Sequence, residues 1–260
     1  MSDLTNVFTD IANAIRAKTE TTITYKPTEM ANAINNIETG GSFYYNVNGI
    51  SITSLFNMPV IIDNNVTNMF NIFSGCSNFN QPITIPNGVT IMINTFYRCN
   101  NFNQPITIPY GVTSMVGTFY KCYNFNQPIT IPSSVINMQS TFNDCSNFNQ
   151  PIIIPNSVTN IVSTFSGCSN FNQPITIPNG VINMQLTFAS CNNFNQPITI
   201  PSNVSNLRFT FRYCNTLANS TVPIHISSSI AIGDTSNYIY NMLVNNGTGI
   251  NWTGRILNDA

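Results

Sequence analysis

The feature that most constrains this chain is a step of 23 residues. Cys76, Cys99, Cys122, Cys145, Cys168, Cys191 and Cys214 follow one another at that interval, and Phe79, Phe102, Phe125, Phe148, Phe171 and Phe194 keep it. So do Pro82, Pro105, Pro128, Pro151, Pro174 and Pro197. A fixed period of this length means that one supersecondary unit is copied and stacked, because a single unit cannot bury its own apolar face. The shared unit reads Cys-x-x-Phe-Asn-Gln-Pro-Ile-x-Ile-Pro-x-x-Val-x-x-Met-x-x-x-Phe-x-x-Cys. The expected fold is an α+β repeat solenoid: 23-residue coils carrying a parallel sheet of very short strands, preceded by a short helical segment.

Within a unit the residues predict their places. Pro82 opens a strand where a missing N–H is tolerated. Ile83 and Ile85 face the core, Thr84 faces out, Pro86 closes the strand and Asn87-Gly88 turns the corner. Val89, Met92, Phe96 and Cys99 then recur at steps that fit an extended piece running into a helical turn. Asn80 and Gln81 repeat through Asn195 and Gln196 and are expected to hydrogen-bond the turn backbone between coils. The cysteines read as a ladder of buried thiols. Stacked parallel side chains do not converge as a disulfide requires, and no C-x-x-C pair offers a zinc site. No metal and no cofactor are expected.

Four segments follow: a helical attachment or oligomerisation segment over 1–38, a linker over 39–49, the solenoid over 50–230 and a C-terminal cap over 231–260. The first segment holds eight of the seventeen charged residues. Leu4, Val7, Phe8, Ile11 and Ile15 form a helical stripe, and Met30, Ala33, Ile34 and Ile37 form a second, shorter one behind Pro27. Helices this short must pack on something else, which predicts a homo-oligomer through them. The unit from Phe43 to Ile72 reads as an N-terminal cap, with Thr53 at the cysteine position. Pro223-Ile224-His225-Ile226 arrives three residues late. Tyr238, Ile239, Met242 and Leu243 suggest a capping helix, and Ile250-Asn251-Trp252 a closing strand.

Charged residues make up 7% of the chain against roughly 25% in ordinary soluble domains. With a net charge of −1 there is no basic stripe for nucleic acid. No run of about 18 apolar residues predicts membrane insertion, and the first residues lack a basic n-region and an apolar h-region. Synthesis in a cytoplasm is the expectation.

Two resemblances add to this. Asp10-Ile11-Ala12-Asn13-Ala14-Ile15-Arg16-Ala17-Lys18 and Pro27-Thr28-Glu29-Met30-Ala31-Asn32-Ala33-Ile34 resemble the opening of tail-associated structural proteins in phages of Gram-positive hosts. That implies a virion-attachment element, other virion tail proteins as partners and location in a virion tail. Cys-x-x-Phe, Ile-x-Ile-Pro-x-x-Val and Phe-x-x-Cys, over residues 50–232, resemble BspA-like (Treponema-type) leucine-rich repeats. Phe-Asn-Gln-Pro is similar to surface-protein repeats of mycoplasmas and gut bacteria. The leucine-rich-repeat resemblance implies adhesion or protein recognition on a cell or virion surface. Phe79 and Ile83 are four apart where the leucine-rich pattern has three.

Chemistry is poorly served. The one histidine, His225, reads as a packed or solvated residue, and Asp63 and Asp144 stand coils apart, so no acid/base pair is available and the chain is not expected to be an enzyme. Recognition fits better. The positions following Phe96 and its equivalents vary most: Tyr97/Arg98, Tyr120/Lys121, Asn143/Asp144 and Arg212/Tyr213. With Tyr110 and Tyr123, the residues Tyr97, Arg98, Tyr120 and Lys121 form the candidate ligand-binding patch, suited by its tyrosines to a glycan or protein of a bacterial host surface. The leading expectation is a phage tail-associated receptor-binding or accessory adhesion protein. A bacterial cell-surface adhesin and a structural virion spacer without ligand are the alternatives.

Overall fold

In the computed structural model the described residues are 46–47, 50–51, 56–57, 59–62, 64–218, 220–227 and 256–259. The helices read over 1–38, including Leu4, Val7, Phe8, Ile11 and Ile15, lie outside them. So do the capping helix read at 238–243 and the strand read at 250–252. A small antiparallel hairpin, β1 (Asn46–Val47) with β2 (Ile50–Ser51), straddles the boundary drawn at 49/50.

From Phe56 onward the coils stack in register. Single parallel bridges run Asn68, Ile91, Ser114, Asn137, Asn160, Asn183 and Asn206, each 23 residues after the last. The hydrogen bonds between coils sit mostly here. Met92, Asn94, Phe96 and Arg98 donate their N–H groups to the carbonyls of Ser114, Val116, Thr118 and Tyr120 on the next coil. The residues between them turn inward on their own coil: Thr95 donates to Met92, Tyr97 to Asn94 and Cys99 to Phe96. The segment is thus a ribbon of linked turns, neither the extended piece nor the helical turn expected from the spacing of Val89, Met92, Phe96 and Cys99. Each ribbon places two residues at positive φ, four apart: Asn94 and Arg98, Gly117 and Lys121, Ser140 and Asp144, Ser163 and Gly167. Positive φ at the third residue of a turn is the type II requirement that Gly or Asn meets most easily.

Side chains leave this ribbon in pairs. Met92 is buried, Ile93 and Asn94 reach toward solvent, Thr95 and Phe96 are buried, Tyr97 and Arg98 reach out, and Cys99 is buried. The buried polar groups complete the backbone. Thr118 Oγ1 lies 2.7 Å from the Met92 carbonyl of the preceding coil, and Cys122 Sγ lies 3.0 Å from the Phe96 carbonyl. Both contacts recur from coil to coil. Behind them run two aromatic columns. Phe73, Phe96, Phe119, Phe142, Phe165, Phe188 and Phe211 stack at 5.4–5.7 Å between ring centroids. Phe56, Phe79, Phe102, Phe125, Phe148, Phe171 and Phe194 stack at 5.7–6.1 Å.

The Ile-x-Ile segments alternate as expected, with Ile83 and Ile85 buried and Thr84 exposed. Before Ile198 they lie without backbone pairing, and the short parallel bridges of the solenoid fall on the turn ribbon instead. Among the described residues no backbone hydrogen bond joins Ile83–Ile85 to Ile106–Ile108, or any later pair before Ile198. Two prolines bracket each segment and supply no N–H, and the coils are farther apart on this side. The column spacings show why. Like side chains in successive coils are related by the repeat itself, so ring separation measures local coil spacing. It grows from 4.7 Å at Tyr97–Tyr120 through the first phenylalanine column to the second. The solenoid therefore fans open toward the isoleucines and is pinched along the turn ribbon.

Regular pairing of the isoleucines begins only at the C-terminal end. There β3 (Ile198–Ile200) pairs in parallel with β4 (Ile224–Ser227), and β4 with β5 (Ile256–Asp259). The three-residue delay before Pro223 is absorbed by a helical turn, α1 (Asn215–Ala218), and Ile198, Thr199 and Ile200 still face Ile224, His225 and Ile226. A closing strand does exist, as β5, six residues beyond the one read at Ile250.

Outside the core the asparagines tie the coils together. Asn80 Oδ1 accepts from the Asn103 N–H at 2.9 Å and from Gln104 Nε2 at 3.1 Å, and the pattern repeats to Asn172. This is the structural role expected for the Asn-Gln pair. The ladder stops at Asn195, whose buried Oδ1 has no partner among the described residues, because α1 replaces the next Asn-Gln pair.

Three outcomes follow from this packing. Thr141→Val removes a buried hydroxyl that satisfies the Met115 or Met138 carbonyl and should cost about 1–3 kcal/mol in urea unfolding. Gly167 and Ser190 hold the same left-handed place in successive coils, and a Cβ on Gly167 would collide with Asp144 Oδ1. Gly167→Ala should therefore destabilise by at least about 1–2 kcal/mol, while Ser190→Gly should raise the unfolding midpoint. Burial pushes every described cysteine thiol up, Cys76 to about 12. The folded chain keeps these protons when the unfolded chain, ionising near 8.5, loses them. Stability is then intact below about pH 8.5 and falls as pH rises beyond it, by about 1.4 kcal/mol per pH unit for each such thiol. Urea midpoints measured under reducing conditions across that range check the sign.

Candidate recognition face

The turn ribbon decides which residues of the array can meet a partner. Its inward positions hardly change: Met, Ile or Leu, then Thr-Phe from the second coil on, then Cys. Its outward pairs change freely, from Ser74-Gly75 to Tyr97-Arg98, Tyr120-Lys121, Asn143-Asp144, Ser166-Gly167, Ala189-Ser190 and Arg212-Tyr213. Because the ribbon is the pinched side of the solenoid, these pairs converge on its concave face.

Four of the residues singled out from the sequence meet there. Tyr97 and Tyr120 stack at 4.7 Å and 9°. The Arg98 guanidinium lies 5.3 Å from the centroid of Tyr97, and Lys121 Nζ lies 5.6 Å from that of Tyr120. Tyr123 stands apart, exposed at the corner after Cys122, where its carbonyl accepts from Asn147 N–H. Tyr110 does not join them. It is 88% exposed on the turn closed by the Val112 N–H to Pro109 carbonyl bond, beyond an extended isoleucine segment.

The geometry changes how this patch can bind. Each tyrosine ring gives one face to the other, so the stacking of sugars on open ring faces expected from their number is restricted. What remains available is the ring edges and the charged groups beside them. Arg98 and Lys121 hold positive φ at 60° and 59°, in the place that Gly75 and Gly167 occupy elsewhere. A long cationic side chain at a left-handed backbone costs about 1–2 kcal/mol that glycine would not. Strain of this kind, tolerated where glycine is the cheaper residue, points toward a use for the side chain.

A second cluster was only half visible in the sequence. In the seventh coil all four outward places are aromatic or cationic: Arg208, Phe209, Arg212 and Tyr213. Arg208 and Arg212 lie 4.8 and 5.1 Å from the Phe209 ring centroid, and Arg212 lies 4.6 Å from that of Tyr213. Arg212 Nη2 also donates to the Tyr213 hydroxyl at 2.7 Å. Arg212 and Tyr213 stood out as a varied pair. Arg208 and Phe209 did not, because the outward place four residues upstream becomes visible only once the in-and-out pairing is known. Between the clusters lies the lone described carboxylate of the coils, Asp144. Burial raises its pKa and the Lys121 charge on the preceding coil lowers it, burial winning.

Among the described residues no group of three His, Cys, Asp or Glu side chains could hold a metal ion. The thiols are buried, kept protonated and directed at carbonyls, which removes them as nucleophiles. His225 sits in β4 between Thr199 and Leu257, in register with both.

A leucine-rich repeat protein from Bacteroides ovatus is similar in structure, with 20% identity and a TM-score of 0.46 over 73% of this chain and 44% of that one. The T. pallidum leucine-rich repeat protein gives 20% identity and a TM-score of 0.48 over 68% of this chain and 77% of that one. The chain thus spans less than half the length of the Bacteroides protein. The coils described above, rather than these likenesses, establish the leucine-rich-repeat-like solenoid. No curated protein matches the chain. A family model does, over residues 3–152, 109–199 and 155–234, so that the segment read as a phage attachment element falls inside the match. The chain belongs to the family described as "Mycoplasma protein of unknown function, DUF285".

Proposed function

We propose that this chain is a non-enzymatic adhesin of a bacterial cell surface that recognises its partner through the concave face of the solenoid. One observation carries the reading: the scaffold positions of the turn ribbon stay nearly constant while the outward pairs change to large aromatic and cationic residues. Scaffold constancy with surface variation is what a recognition protein needs, since tyrosine offers contact area at low entropic cost and arginine several donors. The partner is a surface glycan or protein. Membership of a family described from mycoplasmas favours a bacterial protein over the phage protein implied by residues 10–34, and association through Leu4, Val7, Phe8, Ile11 and Ile15 would add avidity in either setting.

The labelled full chain should bind animal epithelial cells saturably. Tyr97→Ala with Tyr120→Ala should lower that affinity at least about tenfold without moving the unfolding midpoint by as much as a core substitution does. Binding to bacterial cells instead would restore the virion reading, and binding to neither would remove recognition altogether.

A further inference from the structure

The array is almost without charge, and its basic residues are placed on one face. Between residues 56 and 227 there are four basic residues, Arg98, Lys121, Arg208 and Arg212. All four occupy outward positions of the turn ribbon, none a strand-facing row or an isoleucine turn. They form the two clusters already described, in the second and third coils and in the seventh. Tyr120 and Arg212 hold the same place four coils apart. At about 4.8 Å per coil on this side, that is a separation of about 19 Å. The outward places between them are mostly Gln, Asn, Ser and Gly, interrupted by the apolar Val162, Leu186 and Ala189, with Asp144 the one acid. The result is a shallow trough with a cation-and-aromatic wall at each end.

We propose that the two clusters are the ends of a single site for an acidic polysaccharide lying along the solenoid axis. The proposal rests on the adhesive reading above and specifies its ligand. Carboxylate or sulfate groups would meet Arg98 and Lys121 at one end and Arg208 and Arg212 at the other. The middle sugars would lie over a mixed lining, where Gln, Asn and Ser exchange hydrogen bonds with hydroxyl groups and Val162 and Leu186 meet the C–H faces of the rings. The closed tyrosine stack supports this chemistry over a neutral sugar, because its open ring faces are limited while its edges and neighbouring cations are available. Spacing supports a polymer over a small anion, because neither cluster by itself encloses a ligand and two weak contacts joined by one chain gain by avidity. Guanidinium groups resting on rings keep their charge and their outward donors.

Titration of the full chain with dextran sulfate and hyaluronan, against neutral dextran and poly-glutamate, tests the idea. The acidic polysaccharides should bind, neutral dextran should not, and affinity should fall steeply as sodium chloride rises from about 50 to about 500 mM. Long chains should bind at least about tenfold tighter than their disaccharides, which cannot span the trough. Arg98→Asn with Lys121→Asn, or Arg208→Gln with Arg212→Gln, should each abolish that advantage of length. Asparagine already holds the left-handed backbone at Asn71 and Asn94, so the first pair leaves the fold intact. Neutral dextran binding as well as dextran sulfate would overturn the proposal, as would poly-glutamate matching hyaluronan, or a length advantage that survives either pair of substitutions. If cells bind the chain undisturbed by excess dextran sulfate, the acidic polysaccharide is excluded while adhesion stands; if no cell binds it, adhesion itself is excluded.

Discussion

The structure depends on the alternation of backbone N–H groups along the turn ribbon. Every second amide reaches the next coil and the ones between close a turn on their own coil, so each coil is complete only when another lies against it. This alternation places side chains inward and outward in pairs. It leaves carbonyls in the core that are reached by the Thr95 and Cys99 columns, and it sets two residues per coil in a left-handed conformation. That conformation costs about 1–2 kcal/mol for each residue that is not glycine. Burial outweighs it. A full coil hides two phenylalanines, two isoleucines, a valine and a methionine or its equivalent, each large side chain contributing about 1.5–3 kcal/mol.

From the same ribbon comes the shape. Hydrogen bonds hold the coils close on one side, while the phenylalanines behind them need wider spacing and the isoleucine segments, bounded by prolines, have no pairing to pull them together. The coils fan open, and the outward pairs gather on the inner curve. A face of this kind is rigid because its backbone is locked, yet its side chains are free of the core, so they can change from coil to coil without loss of the fold. The C-terminal end behaves differently: where α1 interrupts the Asn-Gln ladder, the isoleucine segments begin to pair as true parallel strands.

Electrostatics then become a local matter. In a chain with so few charges, four basic side chains on one surface dominate the field that a partner meets. The buried titratable groups do the opposite and remain neutral, the thiols because desolvation opposes their ionisation. The core side chains and the most variable side chains thereby occupy separate rows of the same repeat.

Much was legible without coordinates. The period demanded stacked coils, the alternation of Ile83, Thr84 and Ile85 set which side chains are buried, and the recurrence of Asn80 and Gln81 indicated a ladder between coils, because a strict repeat turns each sequence position into a column in space. The place of the inter-coil hydrogen bonds was not legible, since apolar alternation marks burial and says nothing of whether neighbouring backbones come within bonding distance. The Thr95 position carried no reading from the sequence for a similar reason: its hydroxyl meets a carbonyl 26 residues away, on the preceding coil. Tyr97, Arg98, Tyr120 and Lys121 were read as one patch with Tyr110 and Tyr123, but the separation of Tyr110 and the partnership of Arg208 with Phe209 required the pairwise in-and-out geometry of linked turns. Sequence alone determined that the chain is a stack and which columns form its core; only the tertiary structure decided on which side the stack closes, because curvature is set by the competition between hydrogen-bonded spacing on one face and side-chain size on the other.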